Sequence, residues 1–332
     1  MLQIEKIARV LSIPYSVFIS VILGIMILSF PIGAYVVFNS NIGNEINFQY
    51  PLDGFNFFVA GISYKIPVSF EIGDCFILVW SIYLILFSIS LIGPKSNFMK
   101  TLGHIIPEGW KNFKENGLIN ATTWFAILIL ASIIIDFIQS GVGVKIESPT
   151  SPNNLINFFQ LTISPLTEEL GFRVILIGIP LFLLFAHHAT WKTFFKSLWR
   201  PSDYLQITNN RKVLALIITI GLFFGVAHII SGNPWSIGKF TQAAIAGIII
   251  GWVYARYGLA PAVIIHWATN FFIFSYSYFM SDLNQTPISG DFSDPFSNML
   301  EVLLIITGVI SLTIKILNHI ESRKKSTSVT QI

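Results

Sequence analysis

The sequence predicts an all-α fold, a polytopic membrane bundle of about eight transmembrane helices with both termini cytoplasmic. Three observations carry this. Hydrophobic residues make up 53% of the 332 residues and charged residues only 11%, less than half of the roughly 25% that a soluble domain carries. The mean hydropathy of +0.70 does not suit a surface facing water, which excludes disordered, nucleic-acid-binding and small secreted classes. The lysines and arginines also fall on alternate sides of the predicted spans. The single cysteine, Cys75, leaves no disulfide framework and no thiolate metal cluster to hold the fold.

Taken in order, stretches free of Asp, Glu, Lys and Arg run from Val10 to Asn44, Cys75 to Pro94, Asn116 to Ile135, Val213 to Gly238 and Tyr257 to Ser281. Each holds a spanning helix of about 20 residues. Shorter apolar windows run from Val174 to Trp191, Phe240 to Ala255 and Val302 to Ile314, the last reaching back through Met299 and Phe296. The first span is too long for the apolar core of a cleavable signal peptide and lacks a small-x-small site, so it is expected to be retained. Leu155 to Trp191 exceeds one perpendicular crossing at about 1.5 Å per residue, and Pro165 is expected to break it into a short helix and a span. Between Asn44 and Asp74, weak alternation around Ser63 to Ile72 predicts a small external hairpin. There is no repeat, heptad or phosphate-cradling glycine loop.

With eight spans, one side collects Lys6, Arg9, Lys95, Lys100, Lys111, Lys114, Lys192, Lys196, Arg200, Arg211, Lys212, Arg256, Lys315, Arg323, Lys324 and Lys325, sixteen of the twenty basic residues. The other side holds Lys65, Lys145 and Lys239 among acids such as Glu45, Asp53, Asp74 and Asp291. The basic side is the cytoplasmic one. The twentieth basic residue, Arg173, lies inside an apolar stretch.

Ionisable groups within a bilayer cost about 2.5 to 3.5 kcal/mol each on insertion scales, so a cluster of them is a functional hypothesis. Three clusters stand out. In the run from Pro165 to Arg173, Glu169 and Arg173 are four apart on one helix face, the acid N-terminal to the base. Glu168 is turned about 100° away and has no local partner; an unpaired carboxylate in a low-dielectric site suits a general base. Phe224 and His228, four apart, let a ring buttress an imidazole. His266 and Asn270 repeat that spacing in a later span. Together they supply a base, two imidazoles and an amide donor, a set that activates water and holds an oxyanion.

Each cluster also has a plainer reading. A single intramembrane histidine such as His228 serves interhelical hydrogen bonding as readily as chemistry. Glu169 with Arg173 reads better as a buried pair fixing helix orientation than as direct chemistry, and Asn270 reads also as interhelical glue. His187 and His188 fit interfacial anchoring beside Trp191 and Lys192. His104, His319 and Asp136 look like solvated surface, and Phe271, Phe272 and Phe274 like packing or lipid-facing residues. What favours chemistry is the conjunction of the three.

The three clusters resemble the motifs of the CPBP family, the CAAX protease and bacteriocin-processing (Abi) intramembrane proteases, which include the type II CAAX prenyl endopeptidases. The match is Glu-Glu-x-x-x-Arg at Glu168, Glu169 and Arg173, Phe-x-x-x-His at Phe224 and His228, and His-x-x-x-Asn at His266 and Asn270, over roughly Leu155 to Phe279. Val174 departs from the glycine that many members carry after the arginine. The resemblance implies that Glu168 and His228 activate the attacking water, that His266 and Asn270 stabilise the oxyanion, and that Glu169, Arg173 and Phe224 support the site. No cofactor is favoured; zinc on Glu168, His228 and His266, with an open fourth position, is the weaker alternative. There is no HExxH, GxGD or GxSG run for other intramembrane protease chemistries.

On this reading residues 1–150 form an N-terminal membrane region of three spans with an external loop at about 40–74. Residues 151–282 form the protease core, and residues 283–332 the last span with a basic cytoplasmic tail. The expected partners are the lipid bilayer and a membrane protein or lipidated peptide substrate, prenylated CAAX ends being one option, with no nucleic acid. Rival readings are a proton-coupled transporter, against which the polar residues are confined to the second half, and a catalytically silent immunity or scaffold protein. Counted at about 1.5 Å per residue from the cytoplasmic helix ends, His266 lies near 10 Å and His228 beyond 20 Å, so the two disagree in depth.

Overall fold

The computed structural model describes residues 2–59, 62–108, 115–147, 153–188, 190–230, 235–286 and 294–329. The first apolar stretch is one helix, α1 (Leu2–Asn39), which runs through Pro14 and Pro31. The segment after it forms nested hairpins: β1 (Pro51–Leu52) pairs with β4 (Phe70–Glu71), and inside them β2 (Phe55–Val59) pairs antiparallel with β3 (Ile62–Ile66), Phe57 opposite Tyr64. Residues 60 and 61 lie outside the described residues. The inner hairpin begins earlier than alternation predicts, because β2 is apolar nearly throughout and its sequence does not alternate.

α2 (Ile72–Ile92) leads back across the bundle to α3 (Phe98–Glu108). The basic loop expected around His104 is therefore largely helical, with Phe98, Thr101 and Ile105 turned inward at helical spacing; Lys111 and Lys114 lie outside the described residues. α4 (Gly117–Gly141) is capped by Asn116, whose side-chain oxygen accepts from the backbone N–H of Leu118 and Ile119. The same side chain donates to the carbonyls of Leu91 and Ser96, tying the start of α4 to the end of α2. Asp136, in the outer part of α4, is exposed.

Pro165 does not break the next segment. α5 (Asn154–Glu169) runs through it, continues as a π-helical stretch, π1 (Leu170–Gly178), and ends as α6 (Ile179–Phe185). Proline removes the backbone donor that would reach the Leu161 carbonyl; one residue on, the Thr162 carbonyl accepts from the Tyr83 hydroxyl of α2 at 2.7 Å. The helix changes spacing five residues later instead. His187 and His188 follow α6 and are exposed.

α7 (Trp191–Trp199) and α8 (Pro201–Tyr204) lead to the helical hairpin of α9 (Asn210–Ile230) and α10 (Lys239–Tyr257). Gly258 alone joins α10 to α11 (Leu259–Trp267), at φ +97°, a conformation that favours glycine. A second π-helical stretch, π2 (Ala268–Phe272), continues into α12 (Ile273–Asn284), and α13 (Pro295–Val329) ends the described chain.

Among the described residues six segments are long and apolar enough to cross a membrane: Arg9–Asn39, Ile72–Ile92, Gly117–Gly141, Asn210–Ile230, Leu259–Asn284 and Pro295–Glu321. The other two expected spans fall short for identifiable reasons. α10 carries Lys239, Gln242 and Arg256 within 19 residues, and Val174 to Trp191 is divided between π1 and α6, which stops at Phe185. The fold is an all-α polytopic bundle. Its outer face reads as lipid-facing: α9 exposes Leu214, Ile218, Leu222, Val226 and Ile230, four apart, while Val213, Ile217, Gly221 and Phe224 face inward.

α11 is the centre of the bundle. Ala260 to Ala268 are all buried, and α2, α4, α5 and α10 pack around them. Trp267 stacks on Phe30 at 5.1 Å and meets Phe87 edge-on at 5.0 Å. Phe271 and Phe272 are fully buried and Phe274 packs against the same core, so this phenylalanine run is packing.

α9 and α10 pack most extensively of all the helix pairs, and the sequence feature behind it is a pair of glycine spacings, Gly221-x-x-x-Gly225 facing Gly247-x-x-x-Gly251. A Cβ added at Gly247 would lie 3.0 Å from the Cα of Gly221, and one at Gly225 would lie 2.8 Å from the Phe240 carbonyl. Small residues let membrane helix backbones approach this closely. Replacing Gly247 by leucine should lower stability by about 1–3 kcal/mol through overpacking, read as a reduced thermal midpoint in detergent. Gly24→Leu, where an added Cβ meets nothing within 4 Å, should leave that midpoint nearly unchanged.

Candidate active site

Three helices bring the polar clusters together. α5 ends on Glu168 and Glu169, and π1, which follows at once, carries Arg173. α9 supplies Phe224 and His228, and α11 supplies His266. Both changes from α to π spacing occur at motif residues, since π2 holds Asn270; π-helical turns re-aim side chains and are frequent at functional sites.

Glu169 and Arg173 are fully buried. The Arg173 Nε lies 3.0 Å from Glu169 Oε2, close enough for an ion pair, although its N–H is not aimed along a hydrogen bond. Its terminal nitrogens, Nη1 and Nη2, have no hydrogen-bond acceptor among the described residues. The guanidinium lies over the Phe224 ring at 4.6 Å, so the buried cation is answered by a charge on one side and a ring face on the other.

Glu169 does more than the helical spacing alone predicts. Its other oxygen, Oε1, accepts from His266 Nδ1 at 2.8 Å. A carboxylate only accepts, so Nδ1 carries the proton, and Nε2 is the atom that His266 presents elsewhere. Nε2 lies 3.8 Å from Glu168 Oε2, beyond hydrogen-bond length. That oxygen of Glu168 is buried without a hydrogen-bond partner among the described residues. The two neighbouring acids, turned apart on their own helix, thus reach opposite nitrogens of one imidazole.

His228 is fixed in the same manner. Its Nδ1 is 2.9 Å from the Phe224 carbonyl, an acceptor, so Nδ1 donates and Nε2 keeps its lone pair while the ring is neutral. The Phe224 ring meets His228 edge-on at 4.5 Å and His266 at 6.0 Å. Two imidazoles counted to different depths therefore flank a single phenylalanine, which requires α9 and α11 to be staggered or tilted against each other. Asn270 is half-buried; its side-chain oxygen is 3.3 Å from the Thr269 hydroxyl, and it makes no hydrogen bond or ion pair to Glu168, His228 or His266.

Among the described residues no three His, Cys, Asp or Glu side chains group closely enough to hold a metal ion, the set of Glu168, His228 and His266 included. One residue escaped the reading of the sequence. Lys239, counted there with the external lysines, opens α10 within electrostatic reach of Glu168 and His228, its ammonium 2.6 Å from Gln242 Oε1 and 4.2 Å over the Trp235 ring. A lysine at the first turn of a span adjoining the histidine helix was the available signal.

Residues 151–272 match the family model of the type II CAAX prenyl endopeptidase Rce1-like proteins. The matched stretch is rather more than a third of the chain, runs to the end of π2 and contains Glu168, Glu169, Arg173, Phe224, His228, His266 and Asn270. It supports a CAAX-type membrane protease at the level of the family. Neither the curated proteins nor the solved structures returned a match.

Removing one partner of a buried charge pair strands the other, at a cost of about 3–5 kcal/mol. Glu169→Gln and Arg173→Ala should therefore lower purified yield and thermal midpoint together. Glu168→Gln, which breaks no protein hydrogen bond at Oε2, should leave the midpoint within a few degrees of the unsubstituted protein.

Proposed function

We propose that this chain is a multi-pass endopeptidase of the cell membrane that hydrolyses a peptide bond in a membrane-associated protein or lipidated peptide, prenylated CAAX-type ends among them. The observation that supports it most is the single imidazole of His266, held at Nδ1 by Glu169 and facing Glu168 with Nε2. A buried carboxylate oxygen without a protein partner beside an oriented imidazole is the arrangement that general-base hydrolysis needs.

In this reading Glu168 takes a proton from water as the water oxygen bonds to the scissile carbonyl carbon. His228, with Nδ1–H committed to the Phe224 carbonyl, accepts at Nε2 a hydrogen bond from the water's second hydrogen, which stays on the attacking oxygen, and so orients the water. The carbonyl electron pair moves onto oxygen, where the Asn270 amide and His266 Nε2 donate to it; for this the His266 ring must carry a proton on both nitrogens. Collapse of the tetrahedral intermediate expels the amine, which recovers the proton from Glu168. Glu169, Arg173 and Phe224 are positioning residues. Every step runs through side chains, with no cofactor.

Glu168→Gln should reduce turnover of a membrane-anchored peptide by about 10²–10⁴-fold, the range of a general base, in protein that remains folded. Full turnover in folded Glu168→Gln protein would overturn the assignment. Dialysis against a strong chelator should leave turnover undiminished; a loss restored by added zinc would overturn the metal-free mechanism.

A further inference from the structure

Away from the cluster at Glu168, a cavity of about 210 Å³ lies between α1, α4, α13 and the end of α10, at the end of the bundle where the basic residues collect. Its lining includes Glu115, Asn120, Tyr257, Ser311, Lys315 and Asn318. None of these belongs to the motifs, and the proposed hydrolysis uses none of them.

The charges in this cavity do not balance within the protein. Glu115 is answered twice, by Lys95 at 2.9 Å and by Arg256 at 3.4 Å. Lys315 is within electrostatic reach of that same carboxylate, but among the described residues it makes no ion pair of its own, so three cations share one acid; its ammonium lies 4.6 Å over the Trp124 ring. Beside it Ser311, one turn earlier on α13 and 1% exposed, has a hydroxyl with no hydrogen-bond partner among the described residues. A buried polar group left unmade costs free energy, and an ammonium, a hydroxyl and an amide converging on one cavity supply donors in surplus. α4 also begins here, at Gly117, so its positive end adds to the same field.

We propose that this cavity binds the phosphate group of an anionic ligand, with Lys315 supplying the charge and Ser311 and Asn318 the hydrogen bonds. Phosphate takes charge-assisted bonds from a lysine as a point charge, and a cavity of this size admits one with accompanying water. Two sources share that chemistry, a phospholipid headgroup at the membrane surface and a soluble phosphate compound, and they are separable by experiment.

The test is thermal unfolding of the purified full chain in uncharged detergent at fixed ionic strength, with phosphatidylglycerol, phosphatidylcholine or inorganic phosphate added. Binding to the folded state raises the midpoint as ligand concentration passes its dissociation constant. A rise with phosphatidylglycerol but not phosphatidylcholine, lost in Lys315→Gln and kept in the surface control Lys100→Gln, supports the site with a lipid source. The same pattern with inorganic phosphate supports a soluble source. If Lys315→Gln does not fold, Ser311→Ala replaces it and should weaken apparent affinity about tenfold. Equal responses of wild type and variant, or no response to any of the three additives, would overturn the proposal.

Discussion

The arrangement depends on one buried carboxylate. Glu169, wholly inside the bundle, is tolerable there only because Arg173 neutralises it from the next turn and His266 donates to its second oxygen. Each contact needs the other two groups in place. Arg173 without Glu169 is an unanswered cation, and His266 without Glu169 has no fixed orientation. The triad locks α5 and π1 to α11, so the helix carrying the free acid and the helix carrying an imidazole hold one relative position.

Backbone geometry completes the site. The π-helical onset directly after Glu169 changes the spacing of the turn that aims Arg173, and a second π-helical stretch follows His266. On the other flank, facing glycines let α9 and α10 approach until backbone meets backbone, which fixes where Phe224 stands. Phe224 then does three things with one ring: it faces the Arg173 guanidinium, it meets both imidazoles, and its carbonyl sets the tautomer of His228. The inner hairpin adds a further constraint, since β2 packs on α5 and π1, the segment that carries both acids.

The bundle handles buried charge in two ways. Around Glu169 the charges are matched by neighbours, apart from Glu168. At the basic end, Lys315 and Ser311 are left with surplus donors around a cavity. At the basic end the unmatched groups line a cavity rather than packed side chains.

What the sequence by itself determined is whatever depends on composition and local spacing: a membrane class from 53% hydrophobic residues, spans from charge-free windows, and the i,i+4 pairing of Glu169 with Arg173 and of Phe224 with His228. The glycine pairs of α9 and α10 were legible in the same way and show their use only in the packed structure. Three matters rest on the tertiary structure. Pro165 does not end its helix: α5 runs through it and continues as π1. Glu169 is shared between an arginine and a histidine ninety-seven positions away, a contact that no local period encodes. His228 and His266, far apart by residue count along their helices, flank one ring, because depth depends on how whole helices tilt and stagger, and that is decided by packing between helices.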